Sequence, residues 1–277
     1  MQNECRNALF SSIRQIGVKE PHPVRRCLFS DNHCRMLIRV EIAANLDSIQ
    51  TRIEAACARA GRNPGGVTLL AVAKGQPPEA VCAAAAAGLK WIGENRVQEA
   101  KARMPLCPGG LQWHMIGHLQ SNKARDAVEL FDMIQSIDSL HLARETNKWA
   151  ERAAKTVPIL LEVNVAGESS KFGYKPEALR AELEQINALA RIEIQGLMTI
   201  APWTPDPEKV RGVFQQLGDL KAKCEGVLGA SLPHLSMGMS GDFEVAVEEG
   251  ATIVRIGSAL FGPRPRGRKD SPSGTAE

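Results

Sequence analysis

The stretch VTLLAVAKGQPPEAVCAAAAAGLKWIGE, residues 67–94, reads as a strand, a helix and a second strand. Val67–Ala73 is an unbroken apolar run of strand length, the pattern of a strand buried on both faces of a parallel sheet. Pro77-Pro78 before Glu79 opens a helix where a missing N–H costs little, and Ala83–Ala87 gives that helix a close-packing face. Lys90–Gly93 begins the next strand. Working outward, the alternation recurs at Leu111–Ile116, Asp132–Ile137, Pro158–Val165, Ile192–Ile200, His234–Met237 and Thr252–Ile256, which makes eight strand candidates. Asp138 before Ser139, Pro176 before Glu177, Asp206-Pro207 and Ser240 before Asp242 mark further helix starts as side-chain caps or first-turn prolines. Eight strand–helix units in series predict an α/β fold, a single (β/α)8 barrel, with an open doubly wound sheet as the alternative. Upstream, Ile42, Leu46, Ile49, Ile53, Cys57 and Ala60 recur at helical spacing, and Gly61 with Asn63-Pro64-Gly65-Gly66 supplies the stop. This N-terminal helix is expected to close the base of the barrel.

Composition bounds the function. At 277 residues, 44% hydrophobic and 23% charged, the chain has the make-up of a globular protein, and at 4% aromatic its core is aliphatic. The net charge of +3 comes from the ends. Residues 37–262 hold 24 basic against 26 acidic side chains, so no basic nucleic-acid face is expected. Seven cysteines, without a CxxC pair, suggest neither a disulfide framework nor a thiolate zinc site; they are read as core residues of a protein in a reducing compartment. No apolar run is long enough for a membrane helix or shaped as a signal peptide, which makes cytoplasm the default. Residues 1–36 are expected to be a poorly ordered extension, with Met36 as an alternative start, and residues 263–277 a tail around the 37–262 barrel.

Barrel active sites lie at the C-terminal ends of strands, often with a phosphate site after strands seven and eight. The polar residues there are Lys74, Glu94, Asn95, His114, His118, Asn164, Ser236, Ser240, Arg255, Gly257 and Ser258. Lys74 directly follows the first apolar run, where a desolvated amine can attack an aldehyde; a plain surface lysine is the competing reading. Arg255–Gly262 and Ser236–Asp242 offer small residues, hydroxyls and helix starts at the places where barrels bind phosphate. His114 and His118 have HxxxH spacing, but Gly117 interrupts it and the glutamate of HExxH is missing, so no metal is expected. GxGxxG and GxxxxGK[ST] fingerprints are absent.

The blocks Ala71–Lys74, Gly93–Glu99, Trp113–Lys123, Gly196–Met198, Leu235–Ser240 and Val254–Gly257 closely resemble the pyridoxal phosphate homeostasis protein family, in order from Leu37 to Gly262. Two departures are visible: Ala73 stands where a serine often precedes the lysine, and Gly75 where a polar residue often follows it. The resemblance implies the barrel of fold-type III pyridoxal phosphate enzymes such as alanine racemase. It implies pyridoxal 5'-phosphate (PLP) as cofactor, with Lys74 as its Schiff-base lysine and Arg255 as partner of the pyridine nitrogen. Ser240, Gly257 and Ser258 become phosphate ligands, and Asn95, His114 and Ser236 pocket residues.

The resemblance also implies a protein that carries or buffers PLP as a lysine aldimine for vitamin B6 homeostasis, with apo PLP enzymes as partners. An amino-acid racemase using the same aldimine is the alternative. A guanidinium only donates, so Arg255 can bond only an unprotonated ring nitrogen, which weakens the cofactor as an electron sink. Racemases similar in fold share that arginine, so the second base must discriminate. The related racemases take a tyrosine from a separate β-domain, whereas here the single tyrosine, Tyr174, reads as an ordinary loop aromatic. The carrier is therefore favoured, and a monomer is expected without that dimer-forming domain.

Overall fold

The computed structural model describes residues 31–168 and 170–263, with side chains from Arg39 onward. Of the expected extension and tail, residues 1–30 and 264–277 lie outside the described residues. The strands are β1 (Thr68–Val72), β2 (Trp91–Glu94), β3 (Gln112–Met115), β4 (Met133–Ile137), β5 (Val157–Glu162), β6 (Ile192–Met198), β7 (His234–Ser236) and β8 (Ile253–Ile256). All pair in parallel in sequence order, and β8 returns to β1 with Leu70 opposite Arg255. The closed barrel excludes the open sheet. Each strand falls where the apolar runs predict, but β5 stops short of Val165 because Val163 bridges to Tyr174 in its own loop.

The helices are α1 (Asp31–Arg59), α2 (Pro78–Ala86), α3 (Val97–Arg103), α4 (Ala124–Leu130), α5 (Leu140–Arg152), α6 (Pro176–Asn187), α7 (Arg211–Leu228), α8 (Phe243–Glu248) and α9 (Ser258–Phe261). Proline starts α2 and α6 as the sequence implies, and Gly229, at φ 62°, ends α7 in the left-handed conformation. The cap of α5 is Ser139, whose Oγ accepts from the Leu142 amide at 3.3 Å; Asp138, the expected cap, turns to His118 instead.

Two expectations about α1 need correction. It begins at Asp31 rather than Ile42, because periodicity reports burial and the first buried side chain described is Ile42. It also runs down the barrel wall instead of closing the base. Asn45 Nδ2 donates to the Leu260 carbonyl beyond the end of β8, while Arg62, just past the helix, donates to the Ala251 carbonyl before the start of β8, each at 2.9 Å. The Arg52 guanidinium grips the Glu244 carboxylate of α8 through two hydrogen bonds between these points.

The core divides as strand geometry requires. Leu70, Ile116, Met133, Leu160, Met198 and Ile253 fill the barrel interior, while Leu69, Ala71, Ala73, Ile92 and Leu161 pack outward beneath the helices. Residues two positions beyond an interior residue face the interior again, which puts polar side chains above this apolar floor.

Candidate functional site

Above the floor lies a directed chain of hydrogen bonds. Arg255 Nη1 donates to Ser236 Oγ at 2.8 Å, so Ser236 passes its own proton on to Gln135 Oε1 at 2.6 Å. That orients the amide so that Gln135 Nε2 donates to His114 Nδ1 at 2.9 Å, leaving the imidazole proton on Nε2. Burial, with help from His234, pushes His114 down to about 4, so the ring is neutral at physiological pH. Arg255 Nη2 donates to the Thr199 carbonyl at 2.7 Å. Burial lowers Arg255 to about 10, with Glu162 and Asp242 opposing the shift, so the guanidinium stays charged. Its Nε has no partner among the described residues and is a donor held in reserve.

Lys74 continues the interior face of Leu70 and Val72 past the end of β1 and is half-buried. It stands in a turn closed by the Gln76 amide on the Ala73 carbonyl at 2.9 Å. Gly75 has φ 70°, which explains the glycine after the lysine: the third residue of a type II turn needs positive φ. Ala73 is fully buried against the outer core, where a serine hydroxyl would need a partner. Beside this turn Asn95 follows β2 directly, its Oδ1 buried and without a hydrogen-bond partner among the described residues. Gly117 presses on the same strand end: a Cβ there would lie 2.3 Å from the Asn95 carbonyl oxygen.

The loops after β7 and β8 are joined by one bond. Ser240 Oγ accepts from the Ala259 amide at 3.2 Å, so Ser240 caps α9 and not the helix that follows it in sequence. Its own proton stays available to an anion. The Ser258 amide opens α9 and, as the first helical N–H, has no acceptor within the helix. At Gly257 a Cβ would meet only Val72, at an ordinary 3.5 Å, so internal packing does not demand glycine; close approach of a ligand to the backbone would. Ser240→Ala is expected to weaken PLP binding roughly 10-fold while leaving pyridoxal nearly unaffected, one charge-assisted hydrogen bond being worth about 1.5–3 kcal/mol. Equal losses for both ligands in a titration would reduce Ser240 to a helix cap.

Three of the polar strand-end residues belong elsewhere. Glu94 points outward to Arg103 of α3, which also donates to the Gln76 carbonyl at 2.8 Å. Asn164 ties its own loop, donating to the Glu168 carbonyl at 2.7 Å. His118 sits at the rim, stacked on Phe172 with ring centroids 3.6 Å apart and its Nδ1 3.1 Å from Asp138 Oδ2. Conversely, the side chains of Gln135 and Glu162 and the backbone carbonyl of Thr199 are interior polar groups that reading for strand-end residues does not find.

Glu162 is buried with Oε2 unpaired, and burial, reinforced by Asp138 and opposed by Arg255, raises it to about 7. A carboxyl raised from 4.5 to about 7 binds more protons folded than unfolded, so its contribution to stability falls as pH rises through that window. Glu162→Gln should accordingly leave the cofactor-free melting point nearly unchanged at pH 5 and raise it at pH 8, by about 2 kcal/mol of stability. A variant equally or less stable at pH 8 would show that Glu162 is stabilised as the carboxylate.

The donor set fits an aldehyde-bearing, phosphorylated aromatic base. It offers an amine on Lys74, a spare donor on Arg255, an unpaired acceptor on Asn95, and hydroxyl and amide donors around Ser240 and Ser258. Fold and site together define a barrel of the alanine racemase N-terminal type, and the family model described as "Alanine racemase, N-terminal domain" matches residues 44–265. Among similar proteins, the pyridoxal phosphate homeostasis protein of Aquifex aeolicus is 45% identical over 220 residues, 79% of this chain and 96% of that protein. Its namesake in Pseudomonas aeruginosa is 42% identical over 227 residues, 82% of this chain and 97% of that one. The chain belongs to the pyridoxal phosphate homeostasis protein family. The structure of PipY from Synechococcus elongatus with PLP bound is 40% identical, covers 80% of this chain and all of that one, and superposes with a TM-score of 0.71. Alanine racemase of Clostridium difficile, at 14% identity and a TM-score of 0.64, shares the fold alone.

Proposed function

We propose that this chain binds pyridoxal 5'-phosphate in the mouth of its barrel and carries or buffers it for vitamin B6 homeostasis, passing it to apo PLP enzymes. Residues 37–262 are the binding unit, working in the cytoplasm as a monomer. Lys74 holds the cofactor's aldehyde covalently, Arg255 Nε faces its ring nitrogen, and Ser240, Gly257 and Ser258 take the phosphate. Asn95, His114 and Ser236 complete the pocket. PipY, solved with PLP bound, supports the ligand. No helix among the described residues is long and apolar enough to cross a membrane.

The observation that carries the reading over a racemase is the burial of Tyr174; the tethering of Arg255, an arginine that racemases similar in fold share, sets the electronics of the site. When bound, the cofactor supplies an aldehyde and an electron-accepting ring, and the ring accepts electrons best when its nitrogen is protonated. Arg255 is fixed by Ser236 and Thr199, has only protons to offer and stays charged, so it favours the unprotonated ring. Tyr174 is buried in the outer core, and burial with nearby Glu182 and Asp138 raises its hydroxyl far above neutrality, which removes it as a base.

A second reading, a racemase or related enzyme, has one residue in its favour. His118 is an imidazole at the rim oriented by Asp138, the arrangement of a general base. Holo-protein incubated with L-alanine in deuterated water discriminates. The carrier should show α-deuterium incorporation no faster than free PLP and should restore an apo PLP enzyme's activity. Multiple-turnover exchange or racemization, lost in both Lys74→Ala and His118→Ala, would establish the enzyme.

A further inference from the structure

Outside the barrel interior, two cysteines that the sequence reading assigned to the core meet at the surface. Cys57 and Cys224 are buried, but Cys82 of α2 and Cys107, just beyond α3, are half-buried. Cys82 Sγ donates to the carbonyl oxygen of Leu106, the residue before Cys107, at 3.6 Å, which brings the Cys107 thiol into the immediate neighbourhood of Cys82. Arg103 stands at the end of α3 between this contact and the turn of Lys74, its guanidinium shared by Glu94 and the Gln76 carbonyl.

We propose that Cys82 and Cys107 are a redox-active pair which low-molecular-weight disulfides convert reversibly to a protein disulfide, stapling α2 to the segment after α3. Burial, and then the neighbouring Cys82, raises the Cys107 thiol to about 11, so Cys107 is not the thiolate that attacks first. The Cys82 thiolate attacks one sulfur of oxidised glutathione and expels one glutathione thiolate. Cys107 gives up its proton, attacks the Cys82 sulfur of the mixed disulfide and expels the second. Two protein thiols are oxidised to one disulfide while one glutathione disulfide is reduced to two thiols, and a dithiol reverses the reaction.

The test uses the full-length chain treated with oxidised glutathione, blocked with N-ethylmaleimide and digested with trypsin without reduction. The pair predicts a linked product of the peptide 75–90, carrying Cys82, and the peptide 104–123, carrying Cys107, lost on dithiothreitol treatment. Cys107→Ser should abolish the link and leave one glutathione on Cys82. Cys82→Ser should leave Cys107 largely unmodified. Cross-links of either residue to another cysteine instead, or independent glutathionylation of both in the unsubstituted chain, would overturn the pair. So would two thiols still free after treatment that forms mixed disulfides elsewhere on the folded protein.

Discussion

Lys74→Ala is expected to abolish covalent retention of PLP while leaving the barrel folded. Lys74 Nζ makes no hydrogen bond or ion pair to the described residues, and a half-buried lysine end contributes little to stability, so melting in the absence of cofactor should change by less than about 1 kcal/mol. Binding should change much more. Without its covalent anchor the cofactor keeps only phosphate and ring contacts, and affinity should fall about 100-fold or more, some 3 kcal/mol. Spectroscopic titration of both proteins, with melting curves alongside, checks both halves. An affinity within a few-fold of the unsubstituted chain would move the anchor away from Lys74.

Arg255→Leu should have the largest effect on stability. The substitution removes the donor to Ser236 Oγ and to the Thr199 carbonyl, and it takes away the cation that partly offsets Glu162. Polar groups left buried without partners cost about 1–3 kcal/mol each, and removing one member of a buried charged arrangement typically costs 3–5 kcal/mol. Destabilisation of about 3 kcal/mol or more is therefore expected in urea unfolding, and PLP should rescue little of it because the ring-nitrogen partner is gone too. A loss under about 1 kcal/mol would mean that Ser236 and Thr199 find other partners and that the chain to His114 does not depend on Arg255.

The sequence makes most of this barrel legible because its strands are buried on both faces and therefore stand out as apolar runs. Lys74 was readable for the same reason: it ends such a run, in step with Leu70 and Val72. Gln135 and Glu162 were not, since each is embedded in an apolar stretch where a lone polar residue gives no sign of the face it takes. In β4 the register shifts between Ile134 and Ile137, so counting by twos holds from Met133 to Gln135 and fails further on, at Ile137. Glu94 looked like a site residue because its partner, Arg103, is on the next helix, and nothing local to β2 reveals which way the carboxylate turns. Ser240 was legible as a cap but not for the helix it caps, because the amide it accepts from belongs to Ala259, on the far side of β8. The loop-to-loop bond beside the proposed phosphate site is thus a product of the closed fold.

The most direct test of the whole account is where PLP becomes attached. The holo-protein is reduced with borohydride, unfolded, digested with trypsin and mapped by mass spectrometry. The account predicts one phosphopyridoxyl group per chain, on a peptide spanning residues 63–90 that trypsin leaves uncut after Lys74. Attachment mainly at Lys123 or Lys171, or label scattered over surface lysines, would contradict it.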